Sequence, residues 1–381
     1  MRLVRAKVRP GHPWVFANEI LDPPVARLIP GETVRVEDPQ GRPLGVGYAN
    51  PRSLITIRLC GLDADIDSPA FYADRLRAAL RMRQQVLPGR RSYRLCAGES
   101  DGLPGLLIDR YEDVLSIQIT SLGMDQRKDF LRQAIEEVIQ PRAVVLRNDV
   151  GLRTLEGLPL EKLLWWGELE GAVRFEENGA PFEVDLLEGQ KTGFFFDQAE
   201  NRAWAAQRCA GARVLDVFAY VGAFAVQAMR AGAKEAIAVD SSALACQWTR
   251  RNAELSGVEV KTMEQDAKDA MSALGDQRFD IVSVDPPAFA KSRKTAAAAL
   301  VGYRNINAQA MKLVRPGGLL FASSCSHHIH PERFAETMVE AAERARREIV
   351  LVRRGGQAPD HPILPGVPET EYLKHLVFMV R

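Results

Sequence analysis

The sequence predicts an α/β protein in which a doubly wound parallel sheet follows a small β-barrel and a central α+β domain. Three observations carry this prediction. Turn signals recur about every ten residues up to residue 65, strands and helices are mixed between residues 67 and 188, and strands alternate regularly with helices from about residue 190. A chain of 381 residues is too long for one hydrophobic core. We therefore predict domains at 1–66, 67–188 and 189–381.

The composition is ordinary for a soluble globular protein, with 46% apolar and 26% charged residues. No segment approaches the roughly 18 uninterrupted apolar residues of a membrane span, and the first residues lack the apolar segment of a signal peptide. We therefore expect a cytoplasmic protein without a membrane partner. The five cysteines are scattered and form no C-x-x-C pair, which argues against a disulfide framework or a zinc ribbon.

The net charge of +1 does not indicate a nucleic-acid-binding protein, but the distribution of charge is more informative. Residues 75–94 contain seven arginines and no acidic residue. Surface helices normally carry both signs. The run is consistent either with a solvated helix face or with a surface that faces phosphate groups.

The first 65 residues alternate short apolar runs with turns. Strands are predicted at Thr33–Val36, Leu44–Tyr48 and Leu54–Arg58, with a tight turn at Asp38–Gly41 between the first two. This spacing favours a small β-barrel. Such a barrel ahead of a catalytic domain is either a structural appendage or an RNA-binding module.

The central region begins with apolar residues at helical spacing, which predict a helix over Pro69–Val86. The further elements predicted here are strands at Leu106–Asp109, Val114–Ile119, Ala143–Arg147 and Phe182–Leu187 and a helix over Asp125–Ile139. The region contains no catalytic signature. Trp165 and Trp166 are consistent with base stacking or with a place in the core.

From about Gln190 the chain alternates strictly between strands and helices, which is typical of a doubly wound sheet. The predicted strands are Arg213–Val217, Ala236–Val239, Glu259–Met263, Asp280–Val284, Leu319–Ser323 and Leu373–Val380. The predicted helices are Ala223–Ala231, Ala243–Leu255, Ala267–Leu274, Ala296–Leu313 and Pro331–Arg347. Pro331 suits the first position of its helix. A turn at Pro316–Gly318 precedes the fifth strand.

Four of these strands are followed by acidic residues, and ligands of open α/β sheets bind beyond the carboxyl ends of the strands. The first loop holds Asp216 and the single glycine Gly222 instead of G-x-G-x-x-G, and an acid there would repel a pyrophosphate. Asp240 follows the second strand, where a carboxylate accepts hydrogen bonds from ribose hydroxyls. Asp266 is placed to meet an adenine amino group, and Asp285 follows the fourth strand. Together these acids suit the sulfonium, ribose and purine of S-adenosylmethionine.

The chemistry depends on Cys325, which follows the fifth strand. A cysteine in such a place is usually a small buried hydrophobic residue. As a thiolate, however, it could add to carbon 6 of a pyrimidine and push electrons to carbon 5 for methylation. Asp285, if protonated or hydrogen-bonded to the ring, could then offset the charge that develops at N3. By contrast, Asp285-Pro-Pro-Ala-Phe289 resembles the loop of enzymes that methylate exocyclic amines of bases, which need no thiol. A third reading is a non-catalytic RNA-binding protein that keeps the fold and the cofactor.

Five segments together resemble the bacterial 23S ribosomal RNA cytosine-C5 methyltransferases over essentially the whole chain. They are Lys191–Gln198, Asp216-Val-Phe-Ala-Tyr220, Asp285-Pro-Pro-Ala-Phe-Ala-Lys291, Ser324-Cys-Ser-His327 and Asp360-His-Pro362. The resemblance implies an N-terminal PUA domain, a central α+β domain and a class I methyltransferase domain. It also implies 23S rRNA as partner, S-adenosylmethionine as cofactor, Cys325 as nucleophile and Asp285 as second catalytic residue. The cofactor residues expected on this basis are Asp197, Asp216, Phe218, Tyr220, Gly222, Asp240, Ser241, Asp266 and Asp285.

Two departures from the family pattern matter. Many members have a Gly-Gly pair in the first loop, where this chain has Gly222 and Ala223, so the loop is expected to sit slightly differently. Pro286 follows Asp285 where cytosine enzymes with two cysteines have the second, so product release must use another base. His327, His328 and His330 match no common metal site, and we predict no metal. We expect one histidine to shape the surroundings of Cys325 and another to cap the following helix. The sequence leaves the oligomeric state open, including a homodimer.

Overall fold

The computed structural model describes residues 1–290 and 292–381, so Lys291, the last residue of the Asp285–Lys291 motif, lies outside the described residues. The described chain divides into two compact units. The first consists of Met1–Val173, Asp185–Phe194 and Pro359–Thr370, and the second consists of Arg174–Val184, Phe195–Ala358 and Glu371–Arg381. The finer division at residues 66 and 188 stays a prediction.

The first unit begins with a six-stranded mixed sheet. Its strands are β1 (Arg2–Ala6), β2 (Trp14–Phe16), β3 (Ile20–Asp22), β4 (Thr33–Glu37), β5 (Pro43–Ala49) and β6 (Ile55–Gly61), in the order β2-β6-β5-β4-β1-β3. Alternate residues of β4 are buried, with Val34 and Val36 in a core that also contains Val4, Val15 and Ile57. Strands β4 to β6 match the prediction. The sequence did not predict β1, because its arginines interrupt the apolar pattern.

The remainder of the first unit is a five-stranded sheet with helices, as expected for an α+β region. Its elements are α1 (Pro69–Val86), β7 (Tyr93–Ala97), β8 (Leu106–Tyr111), β9 (Val114–Ile119), α2 (Leu122–Asp125), α3 (Lys128–Val138), β10 (Ala143–Asn148), α4 (Leu152–Leu155) and β11 (Glu161–Gly167). The strand order is β11-β10-β9-β8-β7, and every residue of β9 and β10 is buried. Trp165 and Trp166 pack against this core. The helix predicted over Asp125–Ile139 corresponds to α3, which begins three residues later, and α2 is a separate short helix before it.

Two arginines of the run at 75–94 form buried or partly buried ion pairs inside the first unit. Arg83 on α1 is fully buried, with both terminal nitrogens bonded to the Asp101 carboxylate and a further 2.8 Å bond from Nη2 to the Asp360 carbonyl. Arg94 pairs with Asp109, which is also buried. The interpretation as a phosphate-facing surface is therefore wrong at these two arginines. A buried guanidinium requires paired carboxylates, and these partners lie outside the run in the sequence.

The second unit begins with a β-hairpin formed by β12 (Val173–Glu177) and β13 (Ala180–Val184). Asn178 and Gly179 join the strands with positive φ angles of 53° and 76°, which suits a two-residue hairpin turn. The predicted strand at Phe182–Leu187 therefore ends earlier, at Val184.

A seven-stranded sheet with helices forms the rest of the second unit and confirms the predicted doubly wound fold. Its elements are α5 (Ala199–Ala206), β14 (Arg213–Val217), α6 (Ala223–Arg230), β15 (Glu235–Asp240), α7 (Ala243–Leu255), β16 (Lys261–Glu264), α8 (Ala267–Ala273), β17 (Phe279–Val284), α9 (Ala296–Leu313), β18 (Val314–Ser324), α10 (Pro331–Ala345), β19 (Ile349–Gly355) and β20 (Lys374–Val380). The strand order is β16-β15-β14-β17-β18-β20-β19, with β20 antiparallel to both neighbours. Among the described residues, no helix is both long and apolar enough to cross a membrane.

The sheet topology locates the candidate site. Strand β14 has β15 on one side and β17 on the other, so the chain direction around the sheet reverses here. Such a switch point opens a crevice at the carboxyl ends of the strands, where ligands bind. The predicted turn at Pro316–Gly318 is a bulge inside β18, because β17 pairs first with Val314 and then with Leu319. This bulge leaves the carboxyl end of β18, and with it Cys325, next to the end of β17.

Candidate cofactor and active site

Acidic residues gather at the carboxyl ends of β14, β15 and β17. Asp216 is buried near the end of β14, Asp240 ends β15, and Asp285 follows β17. The pKa of Asp216 is raised to about 7, chiefly by burial and also by the charges of Asp285 and Asp240, while a hydrogen bond from the Ala225 amide and the charge of Arg202 lower it. Burial and the neighbouring carboxylates both disfavour the ionised form of Asp216, and a bound cation would stabilise it. The cluster is therefore suited to a cationic ligand.

The loop after β14 adopts an uncommon backbone conformation. Phe218 and Tyr220 have positive φ angles of 66° and 50°, and Gly222 at the start of α6 has a φ of 76°. Non-glycine residues in this region cost about 1–3 kcal/mol each and persist where the surroundings enforce them. At Gly222 a Cβ atom would lie 2.5 Å from Cγ2 of Thr249. Glycine is required here both by backbone angle and by space.

Hydrogen bonds from outside the loop enforce this conformation. The Asp240 Oδ2 atom accepts a 2.9 Å bond from the Tyr220 amide. From α7, the Thr249 hydroxyl donates to the Tyr220 carbonyl at 3.0 Å, and the Asn252 side chain donates to the Val221 carbonyl at 3.1 Å. Asp240 therefore organises the loop in addition to the ribose contact predicted for it. Sequence reasoning missed Thr249 and Asn252, because nothing in α7 marks them as partners of the loop.

Two other predicted cofactor residues lie at helix starts. The Asp240 Oδ1 atom accepts from the amide of Ser242, which is the N-cap of α7, and the neighbouring Ser241 is exposed. Asp266 is exposed at the N-cap of α8, where its Oδ1 accepts from the Lys268 amide at 2.8 Å. Capping alone explains an aspartate at that position. The roles of Ser241 and Asp266 toward a cofactor stay predictions.

Asp197 has an unsatisfied carboxylate oxygen. It lies in a short 3-10 helix over Phe196–Gln198, and its Oδ2 accepts a 2.7 Å bond from the Tyr372 hydroxyl. Its Oδ1 is buried and has no hydrogen-bond partner among the described residues. A buried carboxylate oxygen without a donor is costly, so an amino group of a ligand would stabilise it. This unsatisfied oxygen and the acidic cluster around Asp216 fit a cofactor that carries both an amine and a sulfonium.

A cavity of about 690 Å³ lies along α8 and α9 and is lined in part by Phe218, Asp266 and Phe289. Its volume is in the range of small-molecule and cofactor sites. The Phe289 ring also packs against Tyr303 at 4.7 Å, and a Cβ atom at Gly302 would meet it at 3.1 Å. Apolar rings of this kind suit a purine.

A buried hydrogen-bond network fixes Asp285. Gln198 donates from Nε2 to the Asp285 Oδ2 at 2.9 Å and to the Ser323 hydroxyl at 3.2 Å, while its own Oε1 accepts from Asn201 at 2.7 Å. The Ser323 hydroxyl also bonds the His375 Nδ1 at 2.8 Å. Burial lowers the pKa of His375 to about 3, so this ring is neutral at ordinary pH. None of these supporting roles was predicted, because the residues come from three separate segments of the chain.

Cys325 differs from the other cysteines, all of which are buried, because it is partly accessible directly after β18. Burial raises the pKa of Cys60 and Cys209 to about 12, which makes these thiols inert. The next residue, Ser326, bonds the Tyr303 hydroxyl at 2.9 Å and accepts from the Ala290 amide at 3.2 Å. The Cys325 segment and the Asp285–Ala290 segment are therefore joined by direct hydrogen bonds.

The three histidines after Cys325 do not form a cluster of their own. The His327 ring lies 5.6 Å from that of Tyr372, and His328 is exposed. His330 occupies the N-cap position of α10, but its side chain makes no capping hydrogen bond, so a capping role for this side chain is wrong. In the part of the chain that the structure describes, no three side chains of the metal-ligating types come together.

Comparison with known proteins agrees with this geometry. Residues 138–379 match the family described as S-adenosylmethionine-dependent methyltransferase, and residues 3–60 match a PUA-like domain. The chain is 39% identical to the ribosomal RNA large subunit methyltransferase I of Shewanella denitrificans over 99% of each chain. It is 38% identical to the protein of the same name from Photobacterium profundum, over 98% of this chain and 96% of that one.

Solved structures show the same fold at lower sequence identity. A SAM-dependent methyltransferase from Streptococcus mutans aligns over 100% of both chains with a TM-score of 0.84 and 18% identity. SMU.776, a methyltransferase solved in complex with SAH, also aligns over 100% of both chains, with a TM-score of 0.86 and 18% identity. At this identity the likeness concerns the fold alone.

Proposed function

The chain belongs to the S-adenosylmethionine-dependent methyltransferase family, and from this premise we propose that it methylates carbon 5 of a cytosine in 23S ribosomal RNA. S-adenosylmethionine supplies the methyl group when bound. The names of the relatives, which refer to large-subunit ribosomal RNA, support the RNA substrate. The PUA-like region at 3–60 is the part of the chain to which we assign RNA binding.

One observation carries the choice of carbon 5, namely that Cys325 is the partly accessible cysteine and follows the sheet strand next to β17 and Asp285. Carbon 5 of cytosine is a weak nucleophile. When the Cys325 thiolate bonds to carbon 6, the electron pair of the 5,6 double bond becomes available at carbon 5, which takes the methyl group. The carbon 5 proton then leaves to a base, and the carbon–sulfur bond breaks to return its electron pair to sulfur.

The remaining site residues have supporting roles in this proposal. Asp285 is held by Gln198. In its protonated form it faces the base and donates a hydrogen bond to N3, which offsets the negative charge that develops there when sulfur adds. Asp197 binds the amino group of the cofactor, and Asp216 lies near its sulfonium. Asp240 binds the ribose and also holds the loop at Tyr220. The cavity between Phe218 and Phe289 accommodates the purine.

The test compares Cys325→Ser with Cys209→Ser, a matched control at a buried thiol that bonds the Ala205 carbonyl. Ribosomal RNA from a deletion strain is incubated with each protein and S-adenosylmethionine, and the methylated nucleotides are mapped by mass spectrometry. We expect 5-methylcytosine with wild type and Cys209→Ser and none with Cys325→Ser. RNA that carries 5-fluorocytosine should trap the wild type covalently, because fluorine blocks the proton loss that release requires.

Two outcomes would contradict the proposal. Full activity of Cys325→Ser, or methylation at an exocyclic amine, would favour the alternative chemistry built on Asp285 and Phe289. Methylation of no RNA by the wild type, with intact cofactor binding, would favour a non-catalytic binding protein.

A further inference from the structure

Lys374 is a buried lysine directly beside Cys325. It is the first residue of β20 and pairs in the sheet with Ser324, the residue before the cysteine. It is 5% exposed, and its Nζ donates 2.7 Å hydrogen bonds to the carbonyls of Ser326, the residue after the cysteine, and Tyr372. The lysine therefore contacts the chain on both sides of Cys325.

The position is unusual for an amine, because lysine is almost never fully buried without a charged partner. Burial lowers the pKa of Lys374 to about 8, while the negative charge of Cys325 and of Glu371 raises it. The interaction is mutual, so an ammonium at Lys374 favours the thiolate form of Cys325. The two carbonyls accept only two of the three ammonium hydrogens, which leaves one for a further acceptor.

Other titratable groups face the same place. On α9, burial raises the pKa of Tyr303, whose phenol also senses the charge of Cys325, so it remains neutral there. Glu371 is exposed, and His327 follows Cys325 by two residues. Of these groups only Lys374 is both cationic near neutral pH and held in place by two backbone carbonyls.

We propose that Lys374 is the positioning residue that sets the protonation state of Cys325. The thiol loses its proton to solvent, and the Lys374 ammonium stabilises the thiolate that remains. When sulfur bonds to carbon 6 the thiolate charge disappears, and when that bond breaks the sulfur departs as a thiolate into the same positive field. The lysine thus favours both the attack and the release of sulfur. This inference rests on the proposed role of Cys325 as nucleophile.

The test measures the rate of alkylation of Cys325 by iodoacetamide as a function of pH, in the full-length protein without RNA. The four other cysteines are buried, and Cys325→Ser supplies the blank. We expect the wild-type thiol to titrate below the ordinary value of about 8.5, and Lys374→Met to raise its pKa by about one unit or more. At pH 7 this is roughly a tenfold slower alkylation. Lys374→Arg keeps a permanent positive charge and should retain most of the fast alkylation.

Two matched controls separate a local charge effect from a general one. Lys261→Met removes an exposed lysine that pairs with Glu235 at the start of β15 and should leave the alkylation profile unchanged. His327→Ala removes the other candidate cation and should also leave it unchanged. The inference is overturned if Lys374→Met titrates like wild type or if His327→Ala shows the larger shift. Thermal unfolding and cofactor binding establish that each variant is folded, and Lys374→Gln replaces Lys374→Met if the latter is not.

The inference and the proposed function fail in different ways. If Cys325→Ser abolishes methylation while Lys374→Met leaves the thiol pKa unmoved, the proposed nucleophile stands and the role of Lys374 is wrong. If Cys325→Ser retains methylation, the nucleophile itself is wrong, whatever the alkylation profile. If both hold, the acid limb of the methylation rate against pH should also move to higher pH in Lys374→Met.

Discussion

Asp216 is buried near the end of β14, and burial disfavours the ionised form of its carboxyl group. Its pKa in the folded protein is about 7, against 3.8 as the ordinary value, chiefly because it is buried. Between these values the folded protein keeps a proton that the unfolded chain has lost. Stability from this group is therefore complete below about pH 4 and falls as the pH rises to about 7. A bound cation would offset this loss of stability. The carboxylate that destabilises the empty site is therefore the group that would bind a cationic ligand.

We expect Asp216→Asn to remove this dependence. Without cofactor, the variant should be more stable than wild type at pH 8 by an amount on the order of 1–4 kcal/mol, and the difference should vanish near pH 4. Urea unfolding at pH 4, 6 and 8 measures it. The same variant should bind S-adenosylmethionine more weakly, because the carboxylate charge is gone.

The exposed Asp276 provides the control for this experiment. Asp276→Asn should leave the pH dependence of unfolding as it is in the wild type. A pH-independent difference between Asp216→Asn and wild type would mean that the carboxyl group at 216 is already ionised at pH 4 in the folded protein.

At the scale of residues, the sequence predicts site residues that are marked by their neighbours in the chain, such as an acid that follows a strand. It does not predict residues whose role depends on a partner far away in the sequence. Asp216, Asp240 and Asp285 were found because each follows a strand of a recognisable sheet. Gln198 and Lys374 carry no such local mark. Gln198 reaches Asp285, which is 87 residues away, and Lys374 reaches Ser326, 48 residues away. Such pairs become visible only after the strand order is known.

The loop between β14 and α6 is the element whose geometry most directly shapes the cofactor site. We expect Gly222→Ala to weaken cofactor binding and stability, because it combines backbone strain at a φ of 76° with a contact of 2.5 Å to Thr249. Strain alone costs about 1 kcal/mol, and the collision adds to it. Calorimetry with S-adenosylmethionine and thermal unfolding measure the two effects.

Gly257 is the matched control, because its φ is 66° and a Cβ atom at this position would have no neighbouring atom within 4 Å. Gly257→Ala should show the strain without the collision and should leave cofactor affinity unchanged. Adding Thr249→Ser, which removes the colliding methyl group and keeps the hydroxyl, should recover part of the loss in Gly222→Ala. Equal losses in the two alanine variants would mean that the space around Gly222 is not limiting.

At the scale of elements, most buried strands were predicted, although β7, which is largely buried, was missed. Strand β14 and helices α7 and α9 have the predicted bounds, because their apolar patterns are uninterrupted. Strand β19 was missed, since its residues are all partly or fully exposed and two arginines fall within it. The edge of a sheet imposes a weaker pattern on sequence than its centre does.

The second unit consists of three segments of the chain. This limits where a fragment can begin if it is to fold by itself. The predicted domain at 189–381 lacks the β12–β13 hairpin. Glu177 of this hairpin forms bonds of 2.7 and 2.8 Å with buried Arg202, and the Glu183 amide donates to Asn252, which also holds the cofactor loop. The hairpin is therefore part of the support of the site, although it precedes the predicted boundary.

We expect a fragment of residues 172–381 to unfold cooperatively and to bind S-adenosylmethionine, and a fragment of residues 189–381 to do neither. Removing one partner of a buried ion pair costs about 3–5 kcal/mol, which is a large part of the stability of a domain. Circular dichroism and calorimetry on both fragments measure the difference. The longer fragment with Glu177→Gln isolates the ion pair, and equal behaviour of the two fragments would support the boundary at residue 189.

The position of β20 also has a consequence for how the protein folds during its synthesis on the ribosome. This strand lies between β18 and β19 in the sheet but is translated after both of them. Chains emerge and fold from their amino end, so β18 and β19 exist for a time as two unjoined edges. Lys374 arrives with the strand that closes this gap. Until β20 inserts, the nascent chain has Cys325 without the lysine that we propose as its partner, so we expect methylation to require the insertion of β20 between β18 and β19.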